Sequence, residues 1–256
     1  MKIKVFISAL IILSSFMFLA SAVHSHATPL QDKTILFIVG DDNGTAVPGQ
    51  GTGDKFIRNR LEKVLGLKVI LAVDTTSLNN LRTAAEAADL VIVSESPHSL
   101  KLQDKLKSVT TPIISYEAFI QDEMGLTAKE LPGDPGEPEN FNYGVREKDT
   151  AIDIIMPGNP LAAGLNGTVT VYREPREVTW GKVGKYAKVI ATLKGKKEAA
   201  AIYLYNKGDI LFDGTKAAGM RIGFFLEEEN KTGSSNFLTE DGLRLFDAAV
   251  KFALGR

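Results

Sequence analysis

The residues with chemistry to offer fall in short stretches behind apolar runs. Asp41-Asp42-Asn43-Gly44-Thr45 follows the first run, and Asp54 closes the glycine-rich segment beyond it. Ser94-Glu95-Ser96-Pro97-His98 and Tyr116-Glu117 follow two later runs. Carboxylates and hydroxyls gathered in one place can hold a polyol or a cation. Two carboxyls a few ångströms apart can also divide acid and base work. Nucleophilic chemistry is poorly provided for. The chain has no cysteine, and of its three histidines only His98 lies beyond the first 26 residues. A Ser–His pair needs an imidazole within reach of the hydroxyl and a third group to orient it. His98 is too near Ser96 in sequence for the usual arrangement, and no Gly-x-Ser-x-Gly elbow is present. Ser96 followed by Pro97 reads better as a helix start.

Each remaining candidate has a structural reading beside its functional one. Asp41, Asp42 and Asp54 are hard oxygen donors of the kind Ca2+ takes, without the spacing of an EF-hand loop. The expectation is therefore no cofactor, with Ca2+ near these three as the one metal to weigh. The Asp41–Gly53 segment could offer backbone N–H groups to an anion, but lacks the lysine and glycine spacing of nucleotide-binding loops. Glu117 could act as acid or base with Asp42 or Glu95, or simply accept backbone N–H groups. Tyr172, Arg173 and Trp180 could line a sugar platform or belong to the core. Arg221, ahead of an apolar strand, reads as half of a structural ion pair.

Positioning these groups falls to alternating elements. Strands are expected at Thr34–Gly40, Lys68–Val73, Asp89–Val93 and Pro112–Ser115, from continuous apolar runs. Helices are expected between them: one capped by Asp54, an alanine-rich one starting at Ser77, and one over Leu100–Val109. Such alternation implies a parallel sheet with right-handed crossovers. Leu131–Asp149 reads as a long polar loop, of a kind that often serves as a lid. The second half reads as strands with hairpin-length connections: Ala151–Ile155, Thr168–Tyr172, Ala187–Leu193, Ala199–Tyr205, Ile210–Phe212 and Arg221–Phe225. A final amphipathic helix follows a Thr239 cap.

Met1–Ala27 has the marks of an export signal. Lys2 and Lys4 precede an apolar run from Val5 to Leu19, and Ala20-Ser21-Ala22 and Ser25-His26-Ala27 both fit the cleavage rule. Cleavage after Ala22 or Ala27 implies a secreted or periplasmic protein of about 230 residues, with no membrane attachment afterwards. Residues 28–256 then form one α/β domain. Without cysteines it has no disulfide framework, so burial alone must stabilise it. Loss of the two lysines moves the formal charge from −1 to about −3, with both signs interspersed, which argues against nucleic acid as a partner.

Ile35–Gly40, Asp89–Ser96, Pro112–Glu117, Asn159-Pro160-Leu161-Ala162-Ala163-Gly164-Leu165, Arg221–Phe225 and the Leu243–Leu254 helix together resemble the class I glutamine amidotransferase-like superfamily, and within it ThuA-like and related secreted members. The resemblance implies a three-layer, flavodoxin-like α/β fold, mainly parallel, with antiparallel strands added in the second half. Glutamine amidotransferases use a Cys nucleophile with His and Glu partners. This chain has no Cys, and Asn159-Pro160 stands where ThuA-like domains often carry His-Pro.

In an open parallel sheet the ligand crevice lies beyond the carboxyl ends of the strands. The expected site is therefore Asp41, Asp42, Ser94, Glu95, Ser96 and Glu117 around one cleft, with Pro132–Gly144 at its mouth. Three functions fit: an exported domain binding a small polar ligand or glycan without amidotransferase activity, a carboxylate-based hydrolase or lyase acting on glycans, or a structural or interaction module.

Overall fold

The computed structural model describes residues 30–41, 51–129, 143–227 and 233–256. Its apolar runs form a parallel unit. β1 (Thr34–Val39) pairs with β2 (Lys68–Val73) on one side and β3 (Leu90–Val93) on the other. β3 pairs with β4 (Ile113–Ser115), and β4 with β11 (Arg221–Gly223). The order β2-β1-β3-β4-β11 is the flavodoxin-like one. Beyond β11 the sheet turns antiparallel through β10 (Lys196–Tyr205), β9 (Lys188–Leu193), β6 (Ala151–Ile154) and β7 (Gly167–Thr170). β5 (Tyr143–Asp149) and β8 (Arg176–Gly181) form a ribbon joined to β10 at Gly181 and Ala200. Among the described residues, eleven strands make one mixed sheet.

Strand alternation supplies both faces of the core. Ile35, Phe37 and Val39 join Ile57, Leu61, Leu245 and Phe246 on one face. Leu36 and Ile38 join Leu81, Ala85, Val91 and Leu102 on the other. Helices α1 (Thr52–Asn59) and α4 (Glu240–Ala253) therefore cover the first face, and α2 (Leu78–Glu86) and α3 (Ser99–Leu102) the second. Thr239 starts α4 as expected: its hydroxyl accepts the Gly242 N–H at 3.1 Å and donates to the Thr170 carbonyl at 2.7 Å.

Several local expectations change. Asp54 does not cap α1; Gly51 holds the cap position, and Asp54 is buried within the first turn. The Leu100–Val109 helix shortens to Ser99–Leu102, because Gln103 takes φ +44° and breaks the repeat. His98, not Ser96, is its N-cap. Residues 143–149, expected in the loop, form β5, whose partner β8 carried too weak an alternation to be read from sequence. Ile210–Phe212 reduces to a single bridge between Ile210 and Lys216.

Arg221 anchors the amino-terminal end of the sheet, and not through an ion pair. It is 1% exposed and donates to the carbonyls of Met220 at 2.9 Å, Lys107 at 3.2 Å, Thr111 at 3.3 Å and Val109. Among the described residues no carboxylate reaches it; Glu86 binds the Thr110 amide and hydroxyl instead. Burial pushes the guanidinium down to about 10, with the Glu86 charge opposing the shift. A planar fork suits this task, since it meets several carbonyls of the turn before β4 from a strand beside it. Gly223, at the other end of β11, is required for another reason: a Cβ there would fall 2.2 Å from the Tyr203 ring.

Two stability outcomes follow from these contacts. Arg221→Met leaves the Lys107, Val109 and Thr111 carbonyls without their donor and should cost about 3 kcal/mol. A urea midpoint unchanged at constant slope would refute it. Gly223→Ala should cost ~1–3 kcal/mol by overpacking against Tyr203, and Tyr203→Leu in the same chain should recover part of that loss.

Candidate functional site

The carboxyl edge of the sheet carries three adjacent groups of polar side chains. The first lies beyond β1 and β2. Buried Asp74 accepts the His98 amide at 2.8 Å and the Asp41 amide at 3.4 Å, with Lys101 Nζ at 3.6 Å. Thr75 donates its hydroxyl to Asp41 at 2.9 Å. The His98 ring stays exposed while its backbone serves Asp74.

The second group lies between β1 and β3, where the strand order reverses. Asp54 accepts the hydroxyls of Ser94 and Ser96, the latter at 2.6 Å. Ser96 in turn accepts the Gly40 amide at 2.9 Å. The chain closes so tightly here that a Cβ on Gly40 would fall 2.3 Å from the Ser96 carbonyl oxygen. Neither serine has an imidazole partner: both give their protons to a carboxylate. The only non-glycine residues with positive φ among those described are Gln103 and Ala163, so no strained nucleophile elbow ends β3 or β4.

The third group lies between β3, β4 and β11. The turn after β4 begins a short 3-10 segment, Ala118–Ile120, whose free amides hold two glutamates. The Ala118 N–H donates to Glu95 at 3.2 Å, and the Phe119 N–H to Glu117 at 2.9 Å. A third glutamate, Glu227, comes from the chain leaving β11. It accepts the Thr179 hydroxyl at 2.8 Å, and the same hydroxyl lies 2.8 Å from the Leu226 carbonyl and 3.3 Å from that of Tyr116.

Electrostatics agree with the geometry. Burial holds Glu95 well above its ordinary 4.5, helped by the charges of Glu117 and Glu227. Glu95 as a residue is half-buried. Burial also raises Glu117, only partly offset by the Phe119 amide, with Glu227 and Glu123 adding repulsion. Glu123 itself is pushed up to about 7, first by burial and then by its hydrogen bond with Asp122. Tyr172, wholly buried, turns its hydroxyl toward Glu227 and Glu95. That hydroxyl has no hydrogen-bond partner; the Glu227 amide faces it without reaching bonding geometry.

An aromatic rim adjoins this group. The Phe119 ring is 46% exposed and stands edge-on to Tyr143 at 6.2 Å. Tyr143 pairs with Gly181 on β8, so it shares a face with Thr179, the residue holding Glu227.

The six expected site residues thus divide. Glu95 and Glu117 meet, Ser94 and Ser96 meet around Asp54, Asp41 stands apart beside Asp74, and Asp42 lies outside the described residues, as does the expected lid over 132–142. Glu227 was missed by sequence reasoning, although Phe225-Leu226-Glu227 ends an apolar run just as Ser115-Tyr116-Glu117 does. Of the two readings open for Tyr172, Arg173 and Trp180, a sugar platform or the core, the structure builds no platform. Tyr172 is core, Trp180 packs half-buried against the core, and Arg173 is committed to the carbonyls of Leu238 and Asn236. Asp41 and Asp54 serve different hydroxyls, and among the described residues no three ligating side chains converge on a metal position.

No family model matches the chain, and no curated protein does. Among solved structures, a ThuA-like protein from Bacteroides uniformis ATCC 8492 is 12% identical with a TM-score of 0.47, over 89% of this chain and 93% of that one. A Trypanosoma brucei CTPS glutaminase domain with bound acivicin is 9% identical with a TM-score of 0.44, over 86% of this chain and 94% of that one.

Proposed function

We propose that this chain is an exported α/β domain that binds a small polar ligand of carbohydrate type at Glu95, Glu117 and Glu227, without amidotransferase activity. The observation that carries this reading is the meeting of three carboxyls at the carboxyl edge of β3, β4 and β11, beside an orphaned tyrosine hydroxyl. Glu95 and Glu117 each accept one backbone amide, and a carboxyl has further lone pairs that a polyol can use. The export signal at Met1–Ala27 supplies the compartment, and the missing cysteine removes thiol chemistry.

A second reading is favoured by one feature. Burial, together with the charges of Glu117 and Glu227, raises Glu95, so Glu95 keeps a proton beside other carboxyls, as the acid of an acid–base pair does.

A thermal-shift screen against neutral and charged monosaccharides and oligosaccharides tests the binding reading. Ligands that raise the melting temperature should lose their effect in Glu227→Gln. If Glu227→Gln and Glu117→Gln both keep the full shift, the site is elsewhere. Turnover of a stabilising glycan, abolished by Glu95→Gln, would favour the hydrolase.

The proton in the cluster has its own signature. Glu95 and Glu117 hold protons more tightly folded than unfolded. Their contribution to stability is therefore complete below about pH 4.5 and is lost as pH rises through the raised values. Glu86, Asp89, Asp153 and Asp213 are lowered, chiefly through hydrogen bonds, and act oppositely: their contribution is present at neutral pH and lost as pH falls. Glu95→Gln, a mimic of the protonated form, should leave the acid limb intact and flatten the decline toward neutral and basic pH. Urea midpoints measured across that range that decline equally in both proteins would contradict the raised Glu95.

A further inference from the structure

A groove of about 340 Å³ lies between α2, the turn after α3 and the loop before β11, and shares no residue with the glutamate cluster. Arg82, Asp104, Lys107, Ser108, Thr215 and Lys216 line it. Its size falls near the lower end of small-molecule sites, roughly 300–1,000 Å³. The walls are fixed from behind. Arg82 Nε donates to the Lys105 carbonyl at 2.9 Å, which sets the plane of the guanidinium and leaves its two Nη groups. Arg221 holds the Lys107 and Val109 carbonyls from the buried side of the same turn. Asp213 ties the facing loop. One of its oxygens takes Lys107 Nζ, and the other takes the Thr215 amide at 2.9 Å and hydroxyl at 2.7 Å. Burial opposes ionisation of Asp213, but these hydrogen bonds hold it below its ordinary 3.8. Among the described residues, the Arg82 Nη groups, the Ser108 hydroxyl, the Lys216 ammonium and the Asp104 carboxyl have no hydrogen-bond or ion-pair partner. With Lys107 neutralised by Asp213, two cations face one carboxylate, Asp104, whose charge also helps to raise Glu123.

We propose that this groove binds a hydroxylated anion, a sugar acid or sugar phosphate, through Arg82, Lys216, Ser108 and Asp104. An oxyanion needs positive charge and donors held in place. The Nη groups of Arg82 form an end-on fork, and the Lys216 ammonium adds a second cation with three donors. Ser108 gives its hydroxyl to a remaining oxygen. Asp104 disfavours a plain anion by like charge. It accepts the hydroxyls of a polyhydroxylated one, since an ionised carboxylate offers only lone pairs. Lys107 is part of the wall, its charge spent on Asp213. One anionic head with hydroxyls beside it is what these groups select together. No bond is made or broken. The proposal stands apart from the glutamate site and uses none of its residues.

Calorimetric titration of the purified chain at low ionic strength tests this, with D-glucuronate, D-glucose 6-phosphate, D-glucose and inorganic phosphate. One or both sugar anions should bind, the tighter identifying the head group, and glucose should not. Inorganic phosphate should bind about tenfold more weakly than the bound sugar anion, for want of hydroxyls to give Asp104. Affinity should fall as salt is raised. Lys216→Gln, at an exposed position, should fold normally and weaken binding about tenfold. Arg82→Lys keeps the charge without the fork and should cost a similar factor, while Lys68→Gln, which removes an exposed cation from β2, should cost nothing. Asp104→Asn should tighten inorganic phosphate and narrow its gap from the sugar anion. Binding that is unchanged in both Lys216→Gln and Arg82→Lys overturns the proposal, as does the absence of heat with both sugar anions. Inorganic phosphate bound as tightly as either sugar anion overturns it too, since the groove would then hold an anion without reading its hydroxyls.

Discussion

A carboxyl group taken out of water must have its hydration replaced, and this chain buries carboxyls along one edge of one sheet. How each is repaid sets the character of that edge. Asp74 receives two backbone amides and a nearby lysine; Asp54 receives two serine hydroxyls. These acids are held by several donors each and act as ties between segments. Glu95 and Glu117 each receive one amide, and Glu227 the Thr179 hydroxyl. Burial first, then the repulsion of neighbouring carboxylates, raises Glu95 and Glu117. The difference between a tie and a reactive group lies in the number of donors, not in the residue type.

The opposite edge answers the same constraint with the opposite charge. Arg221 is buried among carbonyls of the turn before β4, so a cation, not an anion, closes the amino-terminal end of β4 and β11. Those two strands therefore run from a fixed arginine at one end to a cluster of buried glutamates at the other. The arginine locks their relative position. The Glu117 and Glu227 backbones extend from that locked pair, which is why they reach the same place.

The parallel unit was legible in the sequence because buried strands in such sheets are continuous apolar runs, as Ile35–Val39 and Leu90–Val93 are. Its carboxyl edge was legible for the same reason, since each run ends in polar residues. What escaped were features decided by tertiary contact. β5 and β8 alternate only weakly and exist because they pair with each other and with β10. The helix after Pro97 looked long because apolar residues recur through Val109, yet Gln103 at φ +44° ends it. Asp54 carries the signature of a cap, but Gly51 takes that place and Asp54 turns inward to two serines that sequence gave no reason to join to it. Glu227 was hidden by distance along the chain. Its apolar run is the last parallel strand, and only the crossover placing β11 beside β4 sets it against Glu117.

The site's position also departs from the simplest topological rule. Open parallel sheets bind ligands where the strand order reverses, which here is the boundary of β1 and β3. That boundary is shut. Ser96 accepts the Gly40 amide, Asp54 clamps Ser94 and Ser96, and Gly40 approaches the Ser96 carbonyl too closely for any side chain. Among the described residues, the Ser94 and Ser96 hydroxyls and the Gly40 amide of that crevice are spent on one another and on Asp54. One strand further along, the amides of Ala118 and Phe119 are spent on carboxyls that still have lone pairs and protons to exchange, beside the unpartnered Tyr172 hydroxyl. Unspent hydrogen-bonding capacity, together with an exposed ring at its border, moves the candidate site from the reversal point to the β3–β4–β11 boundary.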